Sequence, residues 1–137
     1  MSIVFPSMEW AQELVERTNE SPEFTNNVEL DSAAITLHIQ SEEGLLEYDF
    51  ILWLDVEKRK IQEFRKLSSP DEMDSAFKLK AKYSVWKKVF SGEIGPTMAL
   101  VSKRIRVSGS LKELLNNKKA FDVIIDHMMN MEIRYVS

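Results

Sequence analysis

Residues 85–109 read VWKKVFSGEIGPTMALVSKRIRVSG, two short apolar helical pieces split by Gly-Glu-Ile-Gly-Pro and followed at once by a basic strand. An isolated helix below ~12–15 residues is marginal in water, so neither piece can hold itself. Both must lie on a larger apolar surface supplied by the rest of the chain. What they cover decides what the protein can do.

The patterning predicts that surface. Ser7 is placed to cap a helix with Glu9 in its first turn, and Trp10, Ala11, Leu14 and Val15 recur at helical spacing. Residues 19–27, with Pro22 inside, read as a loop. Three strands follow as a meander. Ile35, Leu37 and Ile39 alternate with polar residues, and 41–44 make the turn, where Gly44 is free to take positive φ. Leu46, Tyr48, Phe50, Leu52 and Leu54 form the buried face of the second strand. Ile51 and Trp53 predict partial cover on its other face too. The third strand spans about 60–67. After a turn at 69–72, Phe77, Leu79 and Ala81 alternate with Lys78, Lys80 and Lys82 in a fourth strand.

Ser84 is read as the cap of the first short helix and Gly92 as its stop; Gly95-Pro96 starts the second. Ile105 and Val107 point inward from a fifth strand, with Arg104 and Arg106 outward. Ser110 and Glu113 make a capping box, behind which an apolar helical stripe runs to Met128. The polar run at 116–119 leaves open one long helix or two shorter ones. Strands in series with helices grouped after them predict an α+β fold, one sheet with helices largely on one face.

Composition bounds the function. The 137 residues suit one domain, 1–137, with a real core. No cysteine is present, which excludes disulfides and thiolate chemistry. No apolar run approaches the ~20 residues of a spanning helix, and the start lacks signal-peptide character, so the expectation is a cytoplasmic protein. Net charge is −4, but residues 1–57 carry thirteen acids and one base, while 58–137 carry seventeen bases and nine acids. Either the halves pair across the sheet, or the basic half meets an anionic surface. Pairing requires strands four and five to neighbour the second, which the sequence leaves open. Lys78, Lys80, Lys82, Lys87, Lys88, Lys103, Arg104 and Arg106 have no aromatic interleaved on their face, and the isoelectric point is near 5.3. The expectation is therefore no nucleic-acid partner.

The element order and two segments, 91–100 and 103–109, resemble the sterol carrier protein type-two family over roughly residues 31–128. Trp86, Phe90, Gly92, Ile94, Pro96, Ala99, Leu100, Ile105, Val107 and Gly109 stand at that family's characteristic places. The resemblance implies a five-stranded, mostly antiparallel sheet covered by helices on one face. It also implies an apolar tunnel between them for fatty acyl or sterol-like ligands, so the paired short helices would wall that tunnel. The unusually basic fourth strand and the tail beyond Met128 depart from the pattern.

The lining implied is Trp86, Phe90, Met98, Ala99, Leu100, Phe121, Ile125, Met128 and Met129. Ten buried methylenes contribute ~8 kcal/mol gross, enough for carrier-grade affinity without a polar motif. Enzyme readings do poorly. His38 reads as lying on the polar side of a strand, and His127 beside an Asp126 that points about 100° away, so both read as surface residues. Asp122 and Asp126 share a helix face, but no third group is spaced to complete a metal site. No phosphate-binding loop, nucleophile elbow or zinc motif occurs. The expectation is a non-catalytic lipid carrier or presenter without cofactor or metal, aided by transient contact with an anionic membrane, its oligomeric state open. The alternative is a regulatory domain of the same fold with a filled cavity, acting through protein partners.

Overall fold

The computed structural model describes residues 2–29 and 32–136. In chain order it contains β1 (Ile3–Phe5), α1 (Met8–Asn19), α2 (Pro22–Asn27), β2 (Ser32–Gln40), β3 (Phe50–Glu57), β4 (Lys60–Leu67) and β5 (Phe77–Lys82). Then come α3 (Tyr83–Phe90), α4 (Pro96–Val101), β6 (Arg106–Ser108), α5 (Leu111–Asn116), α6 (Lys118–Asn130) and β7 (Ile133–Tyr135). The fold is α+β, as expected.

Five strands form one mixed sheet in the order β4-β3-β2-β5-β6. The meander β2-β3-β4 is antiparallel, and β6 is antiparallel to β5. The central β2-β5 pair is parallel, because the chain leaves edge strand β4 and returns on the far side of β2. The crossing segment explains why β3 is buried on both faces. Phe50, Leu52, Leu54 and Val56 join the main core, while Ile51 and Trp53 pack with Leu67 and Met73 beneath the crossing. Trp53 Nε1 donates to the carbonyl of Asp74 there at 3.0 Å.

This order decides the charge pairing that the sequence leaves open. The basic β5 flanks β2, not the acidic β3, so Lys78 and Lys80 stand opposite Thr36 and His38, with Arg106 opposite Lys80. Lys78 pairs instead with Asp71 of the crossing segment at 2.8 Å, and that ammonium holds the Asp71 carboxyl below its usual range.

Local signals set most helix ends. Ser7 and Ser110 accept from the amides of Trp10 and Glu113, and Gly92 takes φ +82° just beyond α3. Three expectations are corrected. Residues 22–27 are a helix, with Ser21 as cap and Pro22 at its first position. Ser84 lies inside α3, not at its cap; its amide and hydroxyl both donate to the Glu42 carboxylate at 3.0 Å, which places a negative charge at the helix start. The second sheet strand begins at Phe50, after an isolated bridge between Glu42 and Leu46.

The open question of the C-terminal helix resolves as two. Asn117 is buried at the break; its amide donates to the Glu113 carbonyl at 2.8 Å, and its Oδ1 accepts from the Glu29 amide at 2.6 Å. The ends of the chain pair as a parallel two-stranded ribbon, β1 with β7, which the sequence reading does not contain. Phe5 anchors it among Trp10, Tyr83, Phe90 and Tyr135.

Candidate functional site

An apolar cavity of about 90 Å³ lies between sheet and helices. Its floor comes from the sheet: Ile35 and Leu37 of β2, Leu54 and Val56 of β3, Ile61 of β4 and Leu79 of β5. These are alternate residues of their strands, which is why one face alone supplies the floor. Leu14, Val15 and Thr18 of α1 stand at one side, with Phe24 and Val28 of the α2 region beside them. Trp86, Val89 and Phe90 of α3, with Pro96 and Leu100 of α4, supply the wall that the paired short helices were expected to form. Ala120, Phe121, Ile124 and Ile125 of α6 cover it.

Two hydrogen bonds seat the wall aromatic. Trp86 Nε1 donates to the carbonyls of His38 and Ala81, both at 3.1 Å, so its ring is held against β2 and β5 and stacks on Phe90. Thr18 and Asn117 are the polar side chains on the wall, and no described ionisable side chain stands there. Such a lining suits hydrocarbon, held by desolvation and dispersion. An engineered cavity of ~150 Å³ takes one benzene. At about 90 Å³ this slot is smaller, so a longer chain enters only if the covering helices part.

Of the nine implied lining residues, Trp86, Phe90, Leu100, Phe121 and Ile125 stand on the wall, and Met98, Ala99, Met128 and Met129 do not. Helical phase explains the difference on α4. Pro96 and Leu100 are one turn apart and face inward, whereas Met98 lies about 200° round from Pro96 and is 62% exposed. Ala99 is buried in the core beside the cavity. Met128 continues the α6 stripe one turn beyond Ile124 and meets Trp10 Nε1 at 2.8 Å. Met129 is 55% exposed, and its Sδ and Cε lie over Gly92.

The contributions of α1 and α2 are absent from the sequence reading. Thr18 extends the Trp10-Leu14 spacing by one further step of four, and Phe24 and Val28 are themselves four apart. Those intervals were the available signal. The histidines are also corrected. His38 is only 5% exposed, and its Nε2–H donates to Asp49 Oδ2 at 2.8 Å. His127 is half-buried, with Nε2 enclosed and bonded by no atom of the described residues. Among the described residues no group of three or more His, Cys, Asp or Glu side chains gathers as a metal site.

The pattern that defines the SCP-2 sterol transfer family matches residues 9–122. The chain belongs to that family. The match begins earlier than the expected resemblance and takes in α1 and α2, both of which line the cavity. No curated protein matches the chain by sequence. In fold it is similar to the crystal structure of a sterol carrier protein 2, with TM-score 0.77 and 17% identity over 90% of this chain and 95% of that one. It is also similar to a conserved hypothetical protein from Thermus thermophilus, with TM-score 0.75 and 17% identity over 90% and 86%. A third similar structure is sterol carrier protein 2 from Aedes aegypti in complex with palmitate, with TM-score 0.52 and 9% identity over 82% and 94%. Within the SCP-2 family frame, the cavity sits between the sheet and the helices, where the resemblance implied a tunnel. Among the described residues no helix is long and apolar enough to cross a membrane.

Proposed function

We propose that the chain acts as one lipid-binding domain that carries or presents a single-chain or sterol-like lipid in the apolar cavity, without catalysis of its own. The observation that carries this reading is the cavity itself. Sheet and helices contribute apolar side chains around an unfilled space, and no described charge stands on its wall. Membership of a sterol-transfer family supports it, as does a structurally similar sterol carrier protein from Aedes aegypti that holds palmitate. Trp86, Phe90, Leu100, Phe121 and Ile125 are the proposed ligand contacts.

Loading is passive and proceeds by opening of the segment 121–131. Phe121, Ile124 and Ile125 are only half-buried, so displacing α6 exposes less apolar surface than displacing a strand would. Met98 and Val101 are exposed on α4, and Lys103 and Arg104 follow them, also exposed. That pairing suits brief contact with an anionic bilayer in the cytoplasm, where each cation contributes ~1 kcal/mol.

The test is native mass spectrometry of protein purified from cells. A stoichiometric lipid that leaves on denaturation is the expected result. Bare protein that also fails to bind a fluorescent fatty acid would favour the second reading, a regulatory domain acting through protein partners. The small volume of the cavity is the observation that keeps that reading in play.

A further inference from the structure

The sheet face turned away from the cavity carries a groove of about 250 Å³. Alternation puts it there: Leu37 and Leu79 point into the apolar cavity, so His38, Lys78 and Lys80 point the other way. Residues of the crossing segment and of edge strand β6 complete it. Lys80 stands directly opposite Arg106, and Lys78 opposite Ser108, so these four side chains share one face as two cross-strand pairs. Like charges placed directly opposite one another oppose folding. Among the described residues Asp71 is the one acid on the groove, and Lys78 already holds it at 2.8 Å. Lys80 and Arg106 are exposed, and neither makes an ion pair or a side-chain hydrogen bond with a described residue. A chain of net charge −4 thus keeps three cations against one acid in a single hollow.

We infer that Lys80 and Arg106, with Ser108 beside them, bind the phosphate group of a phosphate monoester in this groove. The site is separate from the apolar cavity and does not depend on the carrier reading. Lysine, arginine and serine all donate hydrogen bonds, and a guanidinium forks onto two oxygens at once. A phosphate monoester offers three terminal oxygens and about two negative charges. That matches the surplus of cations over acid on the groove, and it offsets the repulsion between Lys80 and Arg106. A carboxylate or a phosphodiester brings one charge and two free oxygens, and fits less well. A concave site lined by one sign also focuses its field on the ligand. The same head group occurs on soluble esters and on phosphatidic acid.

The experiment has two arms, each run on wild type, Lys80→Gln, Arg106→Gln and Lys60→Gln. The first titrates isotope-labelled protein with glycerol 3-phosphate and follows the backbone amides by nuclear magnetic resonance. The second measures binding to phosphatidylcholine vesicles with and without phosphatidic acid. Shifts confined to the groove strands are expected in the first arm. Lys80→Gln and Arg106→Gln are each expected to weaken binding about five- to tenfold, and Lys60→Gln, on the far edge strand β4, less than about twofold. Both groove variants should stay folded, since each removes one of two facing like charges. Titration that the groove variants lose assigns a soluble ester. Silence there, with vesicle binding that needs phosphatidic acid and is lost in both variants, assigns a lipid head group. No binding in either arm overturns the inference, as does binding that survives in both groove variants or falls equally in Lys60→Gln. The carrier reading stands in each case.

Discussion

Trp10 and Met128 meet across 118 residues of chain, the indole N–H of the first helix donating to the thioether sulfur of α6 at 2.8 Å. Both side chains are almost wholly buried. The contact ties the element that covers the cavity to the element at its side. Phe5 packs edge-on against the same indole at 4.8 Å between ring centres, so the β1-β7 ribbon closes over the joint. In the proposed opening of residues 121–131, this joint near the far end of the segment is the natural pivot.

Substituting Met128 with leucine keeps the volume and removes the acceptor. Volume-conserving core changes cost under ~1.5 kcal/mol, and an orphaned buried N–H adds ~1–3 kcal/mol. Met128→Leu is expected to lose about 2 kcal/mol in urea unfolding. Affinity for a fluorescent fatty acid should hold, because Met128 is not on the cavity wall. A large loss of affinity in folded protein would mean that the pivot also shapes the cavity.

Two positions on α4 separate lining from surface. Leu100 is 8% exposed and on the wall, while Met98 is 62% exposed and off it. Leu100→Trp is expected to fill the cavity and weaken probe binding at least about tenfold, with Met98→Trp as a control that changes it less than about twofold; these correspond to ~1.4 and ~0.4 kcal/mol. Circular dichroism establishes that each variant is folded. Equal binding in both would remove Leu100 from the site.

What could be read in advance followed from how local each determinant is. Gly92, Pro96 and Ser110 act on the turn they sit in, so the ends of α3, α4 and α5 were legible. Pro22 misled, because proline is both a loop signal and a favoured first helical residue, and only the Ser21 cap bond to Phe24 decides between them. Asn117 breaks the C-terminal helix, but the Glu29 amide it serves lies 88 residues away. The β1-β7 ribbon pairs two three-residue strands from opposite ends of the chain, too short to carry any alternation. For the cavity, residue type named Leu100 and Ile125 together with Met98 and Met129, and helical phase places only the first two on the wall.

Two glycines with positive φ should respond differently to alanine. At Gly109, φ is +116° and an added Cβ would lie 2.3 Å from the Ala76 carbonyl oxygen, a backbone atom that cannot turn aside. At Gly92, φ is +82° and the nearest atom, at 2.9 Å, is the end of the flexible Met129 side chain. Gly109→Ala is expected to cost more than about 3 kcal/mol, and Gly92→Ala about 1 kcal/mol, the backbone penalty alone. Thermal unfolding of the two variants measures the gap. Equal melting points would mean that the β6 end can shift away from Ala76.

Asp49 gives the fold a dependence on acid. Its Oδ1 accepts from the Ser41 amide at 2.7 Å and its Oδ2 from His38 at 2.8 Å. The Ser41 amide is the main cause holding its carboxyl below the ordinary 3.8; burial opposes this and His38 assists it. A carboxyl depressed in the folded state stabilises the protein above its unfolded pKa, and that contribution is lost as pH falls through the lower folded value. The side chain is 42% exposed, so solvent screening keeps the contribution below about 1 kcal/mol. Asp49→Asn is therefore expected to be less stable than wild type by up to ~1 kcal/mol at neutral pH, the difference shrinking as pH falls below the ordinary carboxyl value of 3.8. Urea unfolding of both proteins across a pH series measures this. A gap that stays constant into strong acid would assign the role of Asp49 to packing and not to its charge.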